Sequence, residues 1–252
     1  MRLSSPLCFP VNNLRTVSDT KRDFYTHHTR PINSIYRRVV EELMVEMHLL
    51  SVNVDFNYHP IYALGVVTSF ERFMQGYRPE RDKDSIFDAI CKAVEKDSQT
   101  YKQDAERLKA LAGRFSGKDL IAWIASPTAM DGAGELPDQM REIANNPNFK
   151  YSRLFAIGLY TLLELSDPGL VKDEKQRIDA LNQVSQALHL PADKLQKDLD
   201  LYRSNLEKMA QVQIAMKDAL EADRKKREKR DQEKLAVTSQ APANTKEEGT
   251  SG

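Results

Sequence analysis

The chain has 252 residues, and its 37 Lys+Arg are balanced by 37 Asp+Glu, so the formal net charge is zero. That balance argues against a dedicated DNA or RNA binder, which carries a basic excess, and only 10 Gly and 11 Pro argue against a turn-rich β architecture. A charged fraction of 29% and a mean hydropathy of −0.57 describe a polar chain long enough for one or two domains.

Residues 1–17 carry Pro6 and Pro10 without helical period and read as a flexible arm. A first helix is expected near Thr20, where Thr20 and Asp23 have capping-box spacing. Pro31 suits the first position of a second helix, whose stripe runs Ile32, Ile35, Val39, Leu43, Met47 and Leu50. Val52, Val54, Phe56 and Tyr58 then alternate as a strand would. One strand without a partner cannot stand alone, so an extended linker plugging the core is expected there.

Pro60 opens a third helix that reaches Gln75 and stops at Gly76. From Asp84 or Ser85 one helix is predicted to Gly113, using Ile86, Ile90, Val94, Tyr101, Leu108 and Leu111. A short helix over Ser116–Ala125 carries Trp123, a loop spans 126–137, and another short helix covers Asp138–Ala144. Residues 151–165 have only Arg153 and Glu164 charged, which marks the middle of a bundle. Residues 166–169 stop that helix, and an amphipathic helix follows over 173–188.

The last helix carries a seam of Leu195, Leu199, Tyr202, Leu206, Met209, Gln213, Met216 and Leu220, spaced alternately four and three. Eight positions fall short of the three to four heptads of a firm coiled coil. The seam therefore packs either on its own bundle or on another chain. We expect the bundle for the first half and projection of the charged end. Arg224, Lys225, Lys226, Arg227, Lys229 and Arg230 form a candidate basic patch for anionic lipid or an acidic partner; a solvated helix end is the plain alternative.

The resulting expectation is an all-α fold: a compact multi-helix bundle with a long, coiled-coil-like C-terminal helix and a disordered tail. Its divisions are an arm at 1–17, a helical body at 18–190, a charged helix at 191–235 and a tail at 236–252. No stretch approaches the ~18 apolar residues of a membrane span, and the first ten residues lack a signal-peptide core. Cys8 and Cys91 form no CxxC, as expected in a reducing compartment, and Cys91 reads as a small core residue.

Catalytic motifs are missing. No His has a Glu three residues before it, as a di-iron bundle requires. Residues 112–119 resemble a phosphate loop only loosely, with Asp119 where a hydroxyl would hold magnesium, and read as a capping turn. Asp23 with His27, and Glu41, Glu42 and Glu46, read as ordinary surface charge before any recognition patch. No enzyme, cofactor or metal is expected.

Longer words are more specific. Val17-Ser-Asp-Thr-Lys-Arg-Asp-Phe24, Pro31-Ile-Asn-Ser-Ile-Tyr-Arg-Arg-Val-Val-Glu-Glu-Leu43 and Tyr62-Ala-Leu-Gly-Val-Val-Thr-Ser-Phe-Glu-Arg-Phe-Met-Gln-Gly-Tyr-Arg-Pro79 resemble the thylakoid formation family, also called photosystem II biogenesis proteins. Ser85-Ile-Phe-Asp-Ala-Ile-Cys91 and Phe155-Ala-Ile-Gly-Leu-Tyr-Thr-Leu-Leu-Glu164 continue the likeness. The resemblance implies an α-helical accessory protein for thylakoid organisation and photosystem II assembly or repair, associated with FtsH-type membrane proteases. It carries over no activity or cofactor. Plant members place a transit peptide ahead of the first word; here that word begins at residue 17, so a cyanobacterial protein is expected, peripheral on the cytoplasmic side of the thylakoid. Rival expectations are a pigment- or lipid-binding carrier, suggested by aromatics over 56–77 and 149–160, and a catalytic role in pigment metabolism.

Overall fold

Two helices whose backbones meet at a pair of glycines lie at the centre of the helical body. The computed structural model describes residues 15–129 and 131–239. Among these it shows helices and no strand: α1 Val17–His27, α2 Ser34–Ser51, α3 Pro60–Phe73, α4 Asp82–Ala93, α5 Ser98–Ala112, α6 Gly117–Ala125, α7 Leu136–Asn145, α8 Arg153–Ser166, α9 Pro168–Lys172, α10 Glu174–Ala187 and α11 Ala192–Ser239. The all-α expectation holds. The chain divides into two compact units, one through Leu206 and one from Glu207. The disordered tail and Cys8 fall outside the described residues, apart from Ala236–Ser239, which continue α11.

In the first unit every residue from Pro60 to Phe70 of α3 and from Leu154 to Leu163 of α8 is buried. A Cβ on Gly65 would lie 1.7 Å from the Leu154 carbonyl oxygen, and one on Gly158 would lie 1.9 Å from that of Ile61. The two backbones thus touch at a reciprocal glycine crossing, open to no larger residue. Around this pair α5 packs on α3, α1 on α4 and α2, and α10 on α6 and α9.

Several boundaries differ from those predicted. The first capping box is Thr16 with Asp19: Thr16 Oγ1 accepts from the Asp19 N–H, and Asp19 Oδ2 accepts from the Thr16 N–H, both at 3.1 Å. Thr20 lies inside α1, buried, with its hydroxyl 2.9 Å from His48 Nδ1. Helix α2 starts after Pro31, because Asn33 Oδ1 caps the Ile35 N–H at 3.1 Å.

The helix predicted from 84 to 113 is two. Glu95 adopts φ 58° and the Lys96 N–H reaches the Cys91 carbonyl at 2.9 Å, the bonding of a Schellman stop. Asp97 then caps α5. Helix α7 starts at Leu136 rather than 138, and α9 is a short helix inside the segment read as a stop, capped by Asp167.

Residues 52–58 do not plug the core with their valines. Val52 and Val54 are exposed, Val54 to 96%, while Phe56 and Tyr58 pack on Tyr62 and Tyr101. Burial of an apolar residue needs a facing partner, and here only the aromatic pair finds one.

Polar ties fasten α1. His28 Nδ1 lies 3.1 Å from Ser85 Oγ, Arg15 joins Glu95 at 2.5 Å and also Asp23, and Arg30 pairs with buried Asp82. Burial lowers the pKa of His28 and of His48, so packing of α1 against its neighbours disfavours the protonated form of both imidazoles.

Candidate functional site

Helix α2 turns one face to the core and leaves the other along an open groove of about 1170 Å³. The groove-side residues Ser34, Arg37, Arg38, Glu41, Glu42, Val45, Glu46, Leu49 and Asn53 recur at helical spacing. Residues 150–153 ahead of α8 and the first turns of α11, with Lys194, Asp198, Leu201 and Asn205, supply the facing wall. Pro191 ends the preceding segment, and burial of Leu195, Leu199 and Tyr202 sets the face that α11 turns outward.

Most of the cations in the groove, Arg37 and Lys150 excepted, are paired with carboxylates. Lys21 meets Glu41 at 3.0 Å, Arg38 meets Glu42 at 2.8 Å, Arg153 crosses to Glu46 at 2.5 Å, and Lys194 meets Asp198 at 3.0 Å. The hydrogen bond from Lys21 holds the Glu41 carboxyl below its ordinary pKa. Tyr151 donates to Asp198 at 2.9 Å beneath the Lys194 ammonium, 4.9 Å from its ring. Burial, then the Asp198 carboxylate, raises the pKa of Tyr151, so it acts as a donor and never as an anion. Leu49, 57% exposed, and Leu201, 47% exposed, add apolar surface.

Buried titratable groups elsewhere have structural explanations. His59 caps α3, its Nδ1 accepting from the Ile61 N–H at 3.1 Å while its ring meets Phe155 edge-on. Burial pushes its pKa down to about 3. Tyr58 donates to Asp104 at 2.7 Å, and Asp104 also accepts from Arg107 at 3.0 Å. Burial pushes the Cys91 thiol up to about 12, far from a reactive thiolate. The phosphate-loop look-alike is a cap: Ser116 Oγ accepts from the Asp119 N–H at 3.2 Å. The aromatics of 56–62 and 149–155 fill space against one another, with Phe56–Tyr62 and Phe149–Phe155 centroids both 5.0 Å apart. Among the described residues no group of three or more His, Cys, Asp or Glu could hold a metal. No described helix is long and apolar enough to cross a membrane.

The predicted seam divides between the units. Leu195, Leu199 and Tyr202 are core of the first unit and Leu206, half-buried, closes it. Tyr202 meets Phe73 edge-on, and burial pushes its hydroxyl pKa up to about 12. Met209, Gln213, Met216 and Leu220 belong to the second unit, where Leu220 is 69% exposed. Arg224, Lys225, Lys226, Arg227, Lys229 and Arg230 are all exposed. Sequence reasoning reads the α2 carboxylates as ordinary surface charge. It misses Arg153, Tyr151, Lys194 and Asp198 as their surroundings, because only packing brings those residues near.

Residues 16–231 match the family model for the thylakoid formation protein. Protein Thf1 of Nostoc punctiforme is 64% identical over 234 residues, covering 93% of this chain and all of that protein. Protein Thf1 of Trichormus variabilis is 67% identical over 231 residues, covering 92% and 98%. A solved structure of Psb29 superposes with a TM-score of 0.64 at 44% identity, covering 78% of this chain and 98% of that one.

Proposed function

The chain belongs to the thylakoid formation protein family, a thylakoid-associated family of cyanobacteria, and from that membership we propose a non-enzymatic accessory protein for photosystem II assembly and repair. It acts by associating with an FtsH-type membrane protease complex or with photosystem II assembly intermediates, peripherally, at the cytoplasmic face of the thylakoid. The observation that carries this reading is the span of the likeness, which covers both the helical body and most of α11. The groove along α2 supports it by supplying a contact surface with exposed Leu49 and Leu201 among paired charges.

The test is a pulldown from thylakoid extract with the tagged full chain and with a Leu49→Asp, Leu201→Asp variant. The parent should enrich the protease over an unrelated control. The variant should recover much less at an unchanged melting temperature, since exposed substitutions cost about 0.5 kcal/mol or less. Equal recovery with the control, or a protease level unchanged on deletion of the protein, sinks the reading. Truncation belongs after Leu206, because cutting after Leu190 strips Leu195, Leu199 and Tyr202 from the core.

A further inference from the structure

The second unit, taken by itself, concentrates charge of one sign at one place. Between Arg224 and Arg230 six of seven side chains are cationic and all seven are exposed. The one acid, Glu228, pairs with Arg224 at 3.4 Å. Among the described residues Lys225, Lys226, Arg227, Lys229 and Arg230 form no ion pair. In the groove of the first unit Lys21, Arg38, Arg153 and Lys194 each meet a carboxylate, and only Arg37 and Lys150 among its cations do not.

Seven helical residues rise about 10 Å, close to one Debye length in ordinary salt, so an approaching surface meets the run as a single multivalent site. At roughly 100° per residue the cations face every side of the helix rather than one stripe. A folded acidic protein would match a stripe in register. Mobile headgroups need no register and gather around whatever cations reach them. Acids flank the run on both sides, Glu221 and Asp223 before it and Asp231 and Glu233 after it, so weakly charged surfaces are not held, and only a dense layer of anions competes. Exposed Ile214 and Leu220, on the preceding turns, offer apolar side chains to the same boundary.

We propose that residues 224–230 dock the second unit onto an anionic lipid surface. This deepens the peripheral reading above by naming the segment and the lipid chemistry. Its test contains no protease, so its failure and that of the pulldown are separable.

The experiment is co-sedimentation of the full chain with vesicles of phosphatidylcholine, or of phosphatidylcholine with about 30% phosphatidylglycerol, at about 50 and 300 mM salt. Binding is expected to the anionic vesicles alone and should fade at the higher salt. Each basic residue near such a surface is worth about five-fold in partitioning, so Lys225→Gln with Lys226→Gln should weaken binding roughly 25-fold. Replacing all six by Gln should abolish it, and Gln keeps good helix propensity. Lys172→Gln with Lys175→Gln, exposed outside this unit, should change nothing. The proposal is overturned by equal binding to neutral vesicles, by undiminished binding of the six-fold variant, or by no binding at low salt. Preference for a homopolymeric RNA over vesicles at matched phosphate would overturn it as well, by assigning the patch to nucleic acid.

Discussion

Gly158→Ala should be among the most damaging single-methyl changes in this protein. The new Cβ would sit 1.9 Å from the Ile61 carbonyl oxygen and 2.9 Å from its carbon, where real Cβ atoms stay beyond 3.0 Å. The oxygen must therefore retreat by more than about 1 Å, and as helical backbone it takes α3 with it. A gap of 0.5–1 Å already forfeits about a quarter to a half of each dispersion contact along the crossing. Overpacking costs about 1–3 kcal/mol where side chains can yield, and here, with backbone facing backbone, the cost should reach about 3–4 kcal/mol. Alanine's helical preference over glycine returns about 1 kcal/mol. The net loss of about 2–3 kcal/mol corresponds to a melting temperature lowered by roughly 4–12 °C in a chain of this size. Gly113→Ala is the control: its nearest neighbour would be 3.7 Å away and its φ is −64°, so stability should hold or rise slightly. Calorimetry of both variants decides. Melting of Gly158→Ala within about 2 °C of Gly113→Ala would refute the close crossing.

Three further outcomes are expected. The native His59 imidazole stays neutral down to about pH 3, whereas the unfolded chain takes up that proton near 6.5. Between those values the unfolded state binds more protons, so stability falls on acidification by up to about 1.4 kcal/mol per pH unit. His59→Asn keeps an acceptor for the Ile61 N–H and should flatten that slope in melts across mildly acidic pH; parallel slopes for parent and variant would contradict it. Ser152→Ala removes a buried cap from the Phe155 N–H and should cost about 1–2 kcal/mol in urea denaturation, against no shift in midpoint if the cap is idle. Leu199→Ala, at a site 1% exposed, should cost about 2–5 kcal/mol, and Leu220→Ala, at one 69% exposed, about 0.5 kcal/mol or less; equal costs would mean that the two halves of the seam share one environment.

Helices that carry their own signals are legible in the amino-acid order alone. Pro60 behind His59, the uncharged run of α8, and Ser116 ahead of α6 each announce a helix by local chemistry. The N-terminal cap is not, because Thr16 with Asp19 and Thr20 with Asp23 offer the same spacing four residues apart. Only the packing of Thr20 against His48 chooses between them. The break between α4 and α5 is hidden for another reason. Its left-handed residue is Glu95, where a glycine would have marked the stop, and the apolar period runs on through Val94 and Tyr101. The groove has four separate stretches of chain for walls. Its polar face on α2 can be read locally, but its depth and ion pairs belong to tertiary structure.

The polar fastening of α1 gives the first unit two tiers of opening. Of its eleven residues α1 buries only Thr20 and Phe24, and much of its remaining attachment is polar, through Arg15, Thr20 and His28 and through Lys21 and Tyr25 on Glu41. Such an element detaches at lower cost than helices sharing a dry crossing. Amide protons of α1 should thus exchange with solvent through local detachment, and those of α8 only through global unfolding. Detachment frees His28 and His48 to take up protons, so falling pH favours it, and because global unfolding frees His59 as well, the gap between the two exchange rates narrows on acidification. The α3–α8 pair would keep its protection while the N-terminal helix comes and goes.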